Sequence, residues 1–258
     1  MKNWTEKRED ILNIPLPEHS NRYGVIPHSV FLGEIEQELA NKGYNIAEQR
    51  FLTANNGQIL TGTYRIQDEQ DSEMMPSISF VNSYNRTRKA EIRVSAMILV
   101  CKNGMCASTP YGSYSRKHLG DKALPDFREH LKLSIDNLQP EFDRLKKNKE
   151  EMKQIQIDKV VINQLVGDMF LNEQLITTTQ LGILSKELKY SQNFKDGSLW
   201  SFYNNTTESF KENHAALYDK QHIKFHSYIS SKFNLTGDKG LYGSKLEIAE
   251  TISVLEEA

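Results

Sequence analysis

Apolar residues change their spacing once along this chain, and that change constrains the fold more than any other feature. Up to about residue 110 they come in short runs cut by turn signals. Beyond Tyr111 they recur at three- and four-residue steps. Turn-bounded, partly alternating runs read as strands, and a 3.6-residue period reads as amphipathic helix. Strands first and helices afterwards predict an α+β fold, with a largely antiparallel sheet in the N-terminal half and a helical C-terminal half. At 258 residues the chain can bury a full core as one large domain or two small ones.

Residues 1–27 read as an irregular arm, because Pro15, Pro17 and Pro27 block a long helix. A β-rich part with one helix is expected over 28–124, a helical part over 125–235, and a loop and helix over 236–258; 28–235 can form one domain. In the β-rich part the helix spans 29–41, with Phe31, Leu32, Ile35 and Leu39 on one face. Strands follow at 44–53 and 58–66 around Asn55-Asn56-Gly57, then at 77–85 and 91–101 after an acidic loop. A two-residue turn at Asn103-Gly104 would start a short return strand and set Cys101 opposite Cys106, as packed thiols without metal. In the helical part, Phe127, Leu131, Ile135, Leu138, Phe142, Leu145 and Met152 keep phase through Pro140, so one kinked helix or two abutting ones are expected. Further helices are expected at 158–171, 178–190, 198–212, 217–233 and 244–257.

The charge pattern supplies the candidate site. Eight Lys/Arg lie between Asn82 and Lys122 against Glu91 and Asp121, a local excess of six positive charges on a chain whose formal net charge is −2. Such asymmetry marks a surface that meets an anion. Arg86, Arg88 and Lys89 fall on the tip of a predicted hairpin, Arg93 lies on its flanking strand, and Arg116 and Lys117 follow later. These side chains suit a phosphate backbone, and Tyr84 or Tyr111 could stack on a base. On the flanking strand one face reads Ile92, Val94, Ala96, Ile98, Val100; the other starts with Arg93 and Ser95, giving one buried side and one half-open basic side. The competing interpretation is a hairpin tip whose charge merely blunts a sheet edge.

Other constellations are weaker. His222 and His226 share a helix face, but HIKFH lacks the glutamate of a zinc protease, and Phe225, Ile229 and Phe233 indicate ordinary packing. Trp200, Asn204, Thr207 and Glu208 share a face that either lines a pocket or holds a buried, hydrogen-bonded asparagine. His118 and Glu208 make a conceivable acid/base pair. No phosphate loop, dinucleotide fingerprint, nucleophile elbow or paired-carboxylate nuclease motif occurs, so no catalytic residue, metal ligand or cofactor is assigned. No apolar run reaches the roughly 20 residues of a membrane span, the N-terminus lacks signal-peptide character, and two cysteines cannot form a disulfide framework. A cytoplasmic protein is expected.

Several separated segments also resemble a known family. GYNIAEQRFLTANNGQILTGTYRI, FVNSYN, IRVSAMILVCKNGM, SRKHLGD, EFDRLKKNKEEM and SLWSFYNNTTESF, in this order, resemble the prokaryotic phage/plasmid-like family of unknown function found in mobile elements and phages. The resemblance covers roughly residues 28–230. Leu119 stands where the family usually has threonine, and Asn205 where it usually has alanine. The resemblance implies a context in which replication, recombination and counter-defence are common tasks. Together these readings predict a phage- or plasmid-derived protein that binds or anneals single-stranded DNA in replication or recombination without acting on it chemically. Self-assembly would extend its patch into a groove, so a homo-oligomer fits. The rival readings are a metal-dependent nuclease or nucleotide hydrolase, and a counter-defence protein binding a host protein or nucleotide signal.

Overall fold

The structure, a computed structural model, describes residues 7–16, 24–68, 71, 73–85, 87–99, 104–105, 113–116, 122–212 and 215–238. The chain divides into two compact units, Met1–Phe142 with Asn213–Asp219, and Asp143–Glu212 with Lys220–Ala258.

The first unit is built on an antiparallel sheet. Strands β1 (Ile46–Ala54), β2 (Ile59–Ile66), β3 (Met74–Ser83) and β4 (Ala90–Ile98) follow one another as a meander. Asn55, Asn56 and Gly57 all adopt left-handed backbone (φ 53°, 55° and 81°) in the first turn, which is why that tripeptide is such a strong turn signal. Two short strands share the outer edge of β4: β5 (Gly104–Met105) pairs with Ala96 and Met97, and β6 (Ser113–Arg116) pairs with Ala90–Arg93. Helices α1 (Arg8–Leu12), α2 (His28–Asn41) and α3 (Ala123–Asp136) complete this unit's regular elements before α4 (Leu138–Gln154).

One sheet face and the apolar stripes of α2 and α3 form the core. Phe51, Leu60, Tyr64, Ile78, Phe80, Ile92 and Val94 meet Phe31, Leu32, Ile35, Phe127, Leu131 and Ile135 in a single cluster. Phe31 stacks on Phe127 at 4.7 Å and meets Phe80 edge-on at 6.0 Å. The switch of periodicity near Leu124 is thus a change of layer, since α3 closes the core that the strands begin. Part of the expected irregular arm is helical: α1 buries Ile11 in the same cluster, and Arg8 donates to Glu36 on α2.

The other sheet face is polar yet closely packed. Strand register aligns Arg50, Thr63, Ser79, Arg93 and Ser113 in one row across five strands, with Arg65, Ser77 and Ser95 in the next. Ser77, Ser79 and Ser95 are buried and hydrogen-bond to one another, Ser77 to Ser95 at 2.8 Å. A half-open basic side of β4 was expected; instead Glu91 and Ser95 are buried and Arg93 is nearly so. The reason is local compensation: hydroxyls satisfy hydroxyls, and Glu91 neutralises Arg93 two residues along the same face. The expected turn at Asn103-Gly104 is also corrected. Gly104 lies opposite Met97 within a strand pair, so the return strand runs in a different register. Cys101 and Cys106 lie outside the described residues.

The second unit is helical. The apolar run through Pro140 is two abutting helices, α3 and α4, which meet at Asn137; Pro140 sits in the first turn of α4, where the missing N–H costs nothing. Helix α5 (Lys159–Gly167) runs into a π-helical turn, Asp168–Asn172. Helix α6 (Thr178–Tyr190) starts in a capping box between Thr177 and Gln180. Helix α7 (Leu199–Ser209) is buried almost all round despite its polar sequence. Its polar side chains are satisfied at home: Asn204 donates to Trp200 O, Thr206 to Phe202 O, Thr207 to Asn204 O and Ser209 to Thr206 O. Helix α8 (Ala215–Phe233) and a 3-10 turn, Thr236–Asp238, end the described chain. Among the described residues no helix is long and apolar enough to cross a membrane.

Candidate functional site

The β4–β6 pairing brings together cations that are far apart in sequence. Arg116 lies opposite Ala90, the residue that follows Arg88 and Lys89. The tip of the β3–β4 hairpin and the end of β6 therefore occupy one end of the sheet. Lys89 is exposed and Arg88 half-buried there. Arg86, Lys117 and His118 lie outside the described residues.

Two of the predicted contact residues do not belong to this surface. Tyr84 is only 4% exposed, and its ring stacks on His28 at 3.8 Å. Its hydroxyl accepts the backbone N–H of His28 at 2.6 Å, satisfying a donor in the first turn of α2, where Pro27 offers no side-chain cap. Burial raises the phenol above its ordinary value, with the His28 bond acting the other way. Tyr84 is therefore a helix cap and not a platform for a base. Arg93 points into the polar sheet face and ion-pairs with Glu91. Sequence spacing could not reveal the fate of Tyr84, whose partner His28 lies far off in the chain, whereas Arg93 pairs with Glu91 two residues before it on the same strand.

Around Tyr84 a buried polar cluster fixes this end of the sheet. His28 Nε2 lies 2.9 Å from Gly57 O, and Nδ1 lies 2.9 Å from Asn82 Nδ2. Asn82 Nδ2 also donates to Ile26 O. A neutral imidazole with its proton on Nε2 satisfies all three contacts. Two hairpins and the start of α2 are tied together directly beneath the cationic tip.

The helical unit holds a second, enclosed constellation. On α4, Arg144, Asn148 and Glu151 fall on one stripe and read three successive residues of the 3-10 turn. Glu151 accepts the N–H and hydroxyl of Thr236 at 2.8 and 2.9 Å. Gly237 lies so close to Asn148 and Arg144 O that a Cβ would collide with both. Asp238 ion-pairs with Arg144, and its other oxygen lies 2.8 Å from His226 Nε2. With that proton directed at Asp238, His226 Nδ1 accepts from the Tyr203 hydroxyl at 3.2 Å. Burial, then the positive charge of Arg144 and the neighbouring His222, lower His226 to about 3, so the imidazole is neutral and Arg144 balances Asp238. His226, Tyr203 and Asp238 are all buried, which makes this relay a clamp on α4, α7, α8 and the turn.

The other predicted residues fall into this packing. His222 is fully buried and meets Phe210 edge-on at 5.1 Å. Asn204 serves its own helix; Asn205, the departure from the family pattern, instead donates to the loop carbonyl of Phe194 at 3.0 Å. Glu208 pairs with Lys211 at 2.5 Å. Among the described residues no group of three or more His, Cys, Asp or Glu is placed to hold a metal ion.

A family profile described as a domain of unknown function, DUF932, matches residues 15–227, and the chain belongs to that family. No curated protein and no solved structure matches the chain.

Proposed function

We propose that this DUF932 protein binds single-stranded DNA through the cationic end of its sheet and does no chemistry on it, as a protein of phage or plasmid replication and recombination. The observation that supports the reading is the β4–β6 register, which pairs Arg116 with Ala90, the residue that follows Arg88 and Lys89. The backbone of Arg116 thereby shares a sheet end with Arg88 and Lys89, and Arg86 and Lys117 adjoin them in sequence. Arg and Lys at such an end neutralise phosphates and release counterions, a sequence-tolerant mode of binding. Tyr111, six residues before Lys117, supplies ring surface for an unstacked base, which favours single strands over duplex. Self-association would join such ends into a longer track.

The test is a gel-shift comparison of single-stranded DNA, duplex DNA and RNA at two salt concentrations. Retention of single-stranded DNA at low salt, with weaker retention of the other two and loss at high salt, is expected. No shift of any probe at low salt, or a preference for duplex or RNA, overturns the reading.

A further inference from the structure

A cleft of about 400 Å³ lies within the helical unit, lined by Val161, Gln164 and Leu165 of α5, Asp168 of the π-helical turn, and Tyr228, Lys232 and Phe233 of α8. Its volume falls within the range of small-ligand sites. The π-helical turn itself matters, because such turns re-aim side chains and recur at functional sites.

The polar wall is preorganised and electrically balanced. Asp168 Oδ2 accepts from Tyr228 at 2.8 Å and meets Lys232 Nζ at 3.1 Å, while Oδ1 accepts from Asn172 at 2.8 Å. These bonds, Asn172 first and then Tyr228, hold the carboxyl down at about 2 against the effect of burial. Asp168 and Lys232 thus cancel in charge, and the carboxylate has little capacity left for a cationic ligand. Lys232 has further N–H donors, and its side chain is 47% exposed. Gln164 is exposed and offers both a donor and an acceptor. Val161, Leu165 and the ring of Phe233 supply apolar surface.

A planar, uncharged ligand with donors and acceptors along one edge fits this set better than an ion does. We propose that the cleft binds a nucleobase, with its ring on the apolar surface at Phe233 and its edge read by Gln164 and Lys232. This site lies in the other compact unit from the cationic sheet end and stands without it.

The test is saturation-transfer NMR and titration of the full chain with adenosine, guanosine, cytidine and uridine, with benzyl alcohol as a ring lacking a base edge. Free nucleosides carry no phosphate for the cations of the sheet end, and the comparison with Gln164→Ala separates the cleft from stacking on any other ring. At least one nucleoside is expected to bind at millimolar concentration or below. Gln164→Ala should weaken it about tenfold, from the loss of one or two hydrogen bonds. Phe233→Leu should weaken it by roughly fivefold or more, from lost stacking. Benzyl alcohol binding should be unaffected by Gln164→Ala. Gln164 is an exposed helix position, so its alanine variant keeps the fold, which a melting curve verifies. No nucleoside binding at millimolar concentration, or equal binding by wild type and Gln164→Ala, overturns the proposal whatever the DNA assay shows.

Discussion

Arg144 in the helical unit and Lys89 in the sheet unit carry the same charge into opposite settings. Arg144 meets Asp238, Asp238 also holds His226, and His226 takes the Tyr203 hydroxyl. Lys89 is exposed at a hairpin tip whose sequence, Asn85 to Ala90, contains no acid, and strand pairing sets the Arg116 backbone opposite Ala90. Charges consumed inside a network hold elements in place, and removing one leaves a buried group without its partner. A charge exposed at a tip, as that of Lys89 is, contributes little to folding. The difference separates a charge committed to the fold from one left in solvent.

That contrast can be broken most forcefully at Asp238. Asp238→Ala strips the carboxylate from both Arg144 and His226 and should cost about 3–5 kcal/mol, read as a lowered urea midpoint. A loss under about 1 kcal/mol would mean the network is ornamental. The same network sets a pH dependence. His226 is lowered in the folded state, so its contribution is full above the unfolded value of about 6.5 and falls as pH drops toward 3. Unfolding free energy should decline by up to about 1.4 kcal/mol per pH unit from this one site between about pH 6 and 4. In His226→Gln that share of the slope should vanish; an unchanged slope would show that the imidazole is charged when folded.

Tyr84→Phe sharpens the comparison from the sheet side. Removing the hydroxyl leaves the His28 N–H without its acceptor and should cost about 1–3 kcal/mol in stability. Affinity for single-stranded DNA should not move. A variant of normal stability and weakened binding would restore Tyr84 to the interface.

Much of this architecture was legible in the sequence. The Asn55-Asn56-Gly57 turn, the α2 stripe and the whole of α6 follow from local chemistry that needs no distant partner. Strand β6 was not legible, because Ser113–Arg116 is short and polar and its strand state is conferred by β4. The π-helical turn was read as plain helix, since its extra residue leaves no mark on hydrophobic spacing. His226 was legible as packing, but its partner Asp238 lies beyond α8 in a turn fixed by α4, a tertiary fact. The cationic cluster was legible as charge and not as geometry: sequence grouped Arg93 with Arg88, and only the strand register and Glu91 part them.

The smallest expected change in stability accompanies the most direct test. Arg88→Ala/Lys89→Ala should cost no more than about 1 kcal/mol of unfolding free energy, since Lys89 is exposed and Arg88 half-buried. If about four of the five cations Arg86, Arg88, Lys89, Arg116 and Lys117 contact phosphate, the wild-type slope of log affinity against log salt for single-stranded DNA should be roughly −2.8. The double variant should flatten that slope by roughly 1.4. A slope that does not change, with binding intact, would contradict the assignment of this sheet end as the DNA contact.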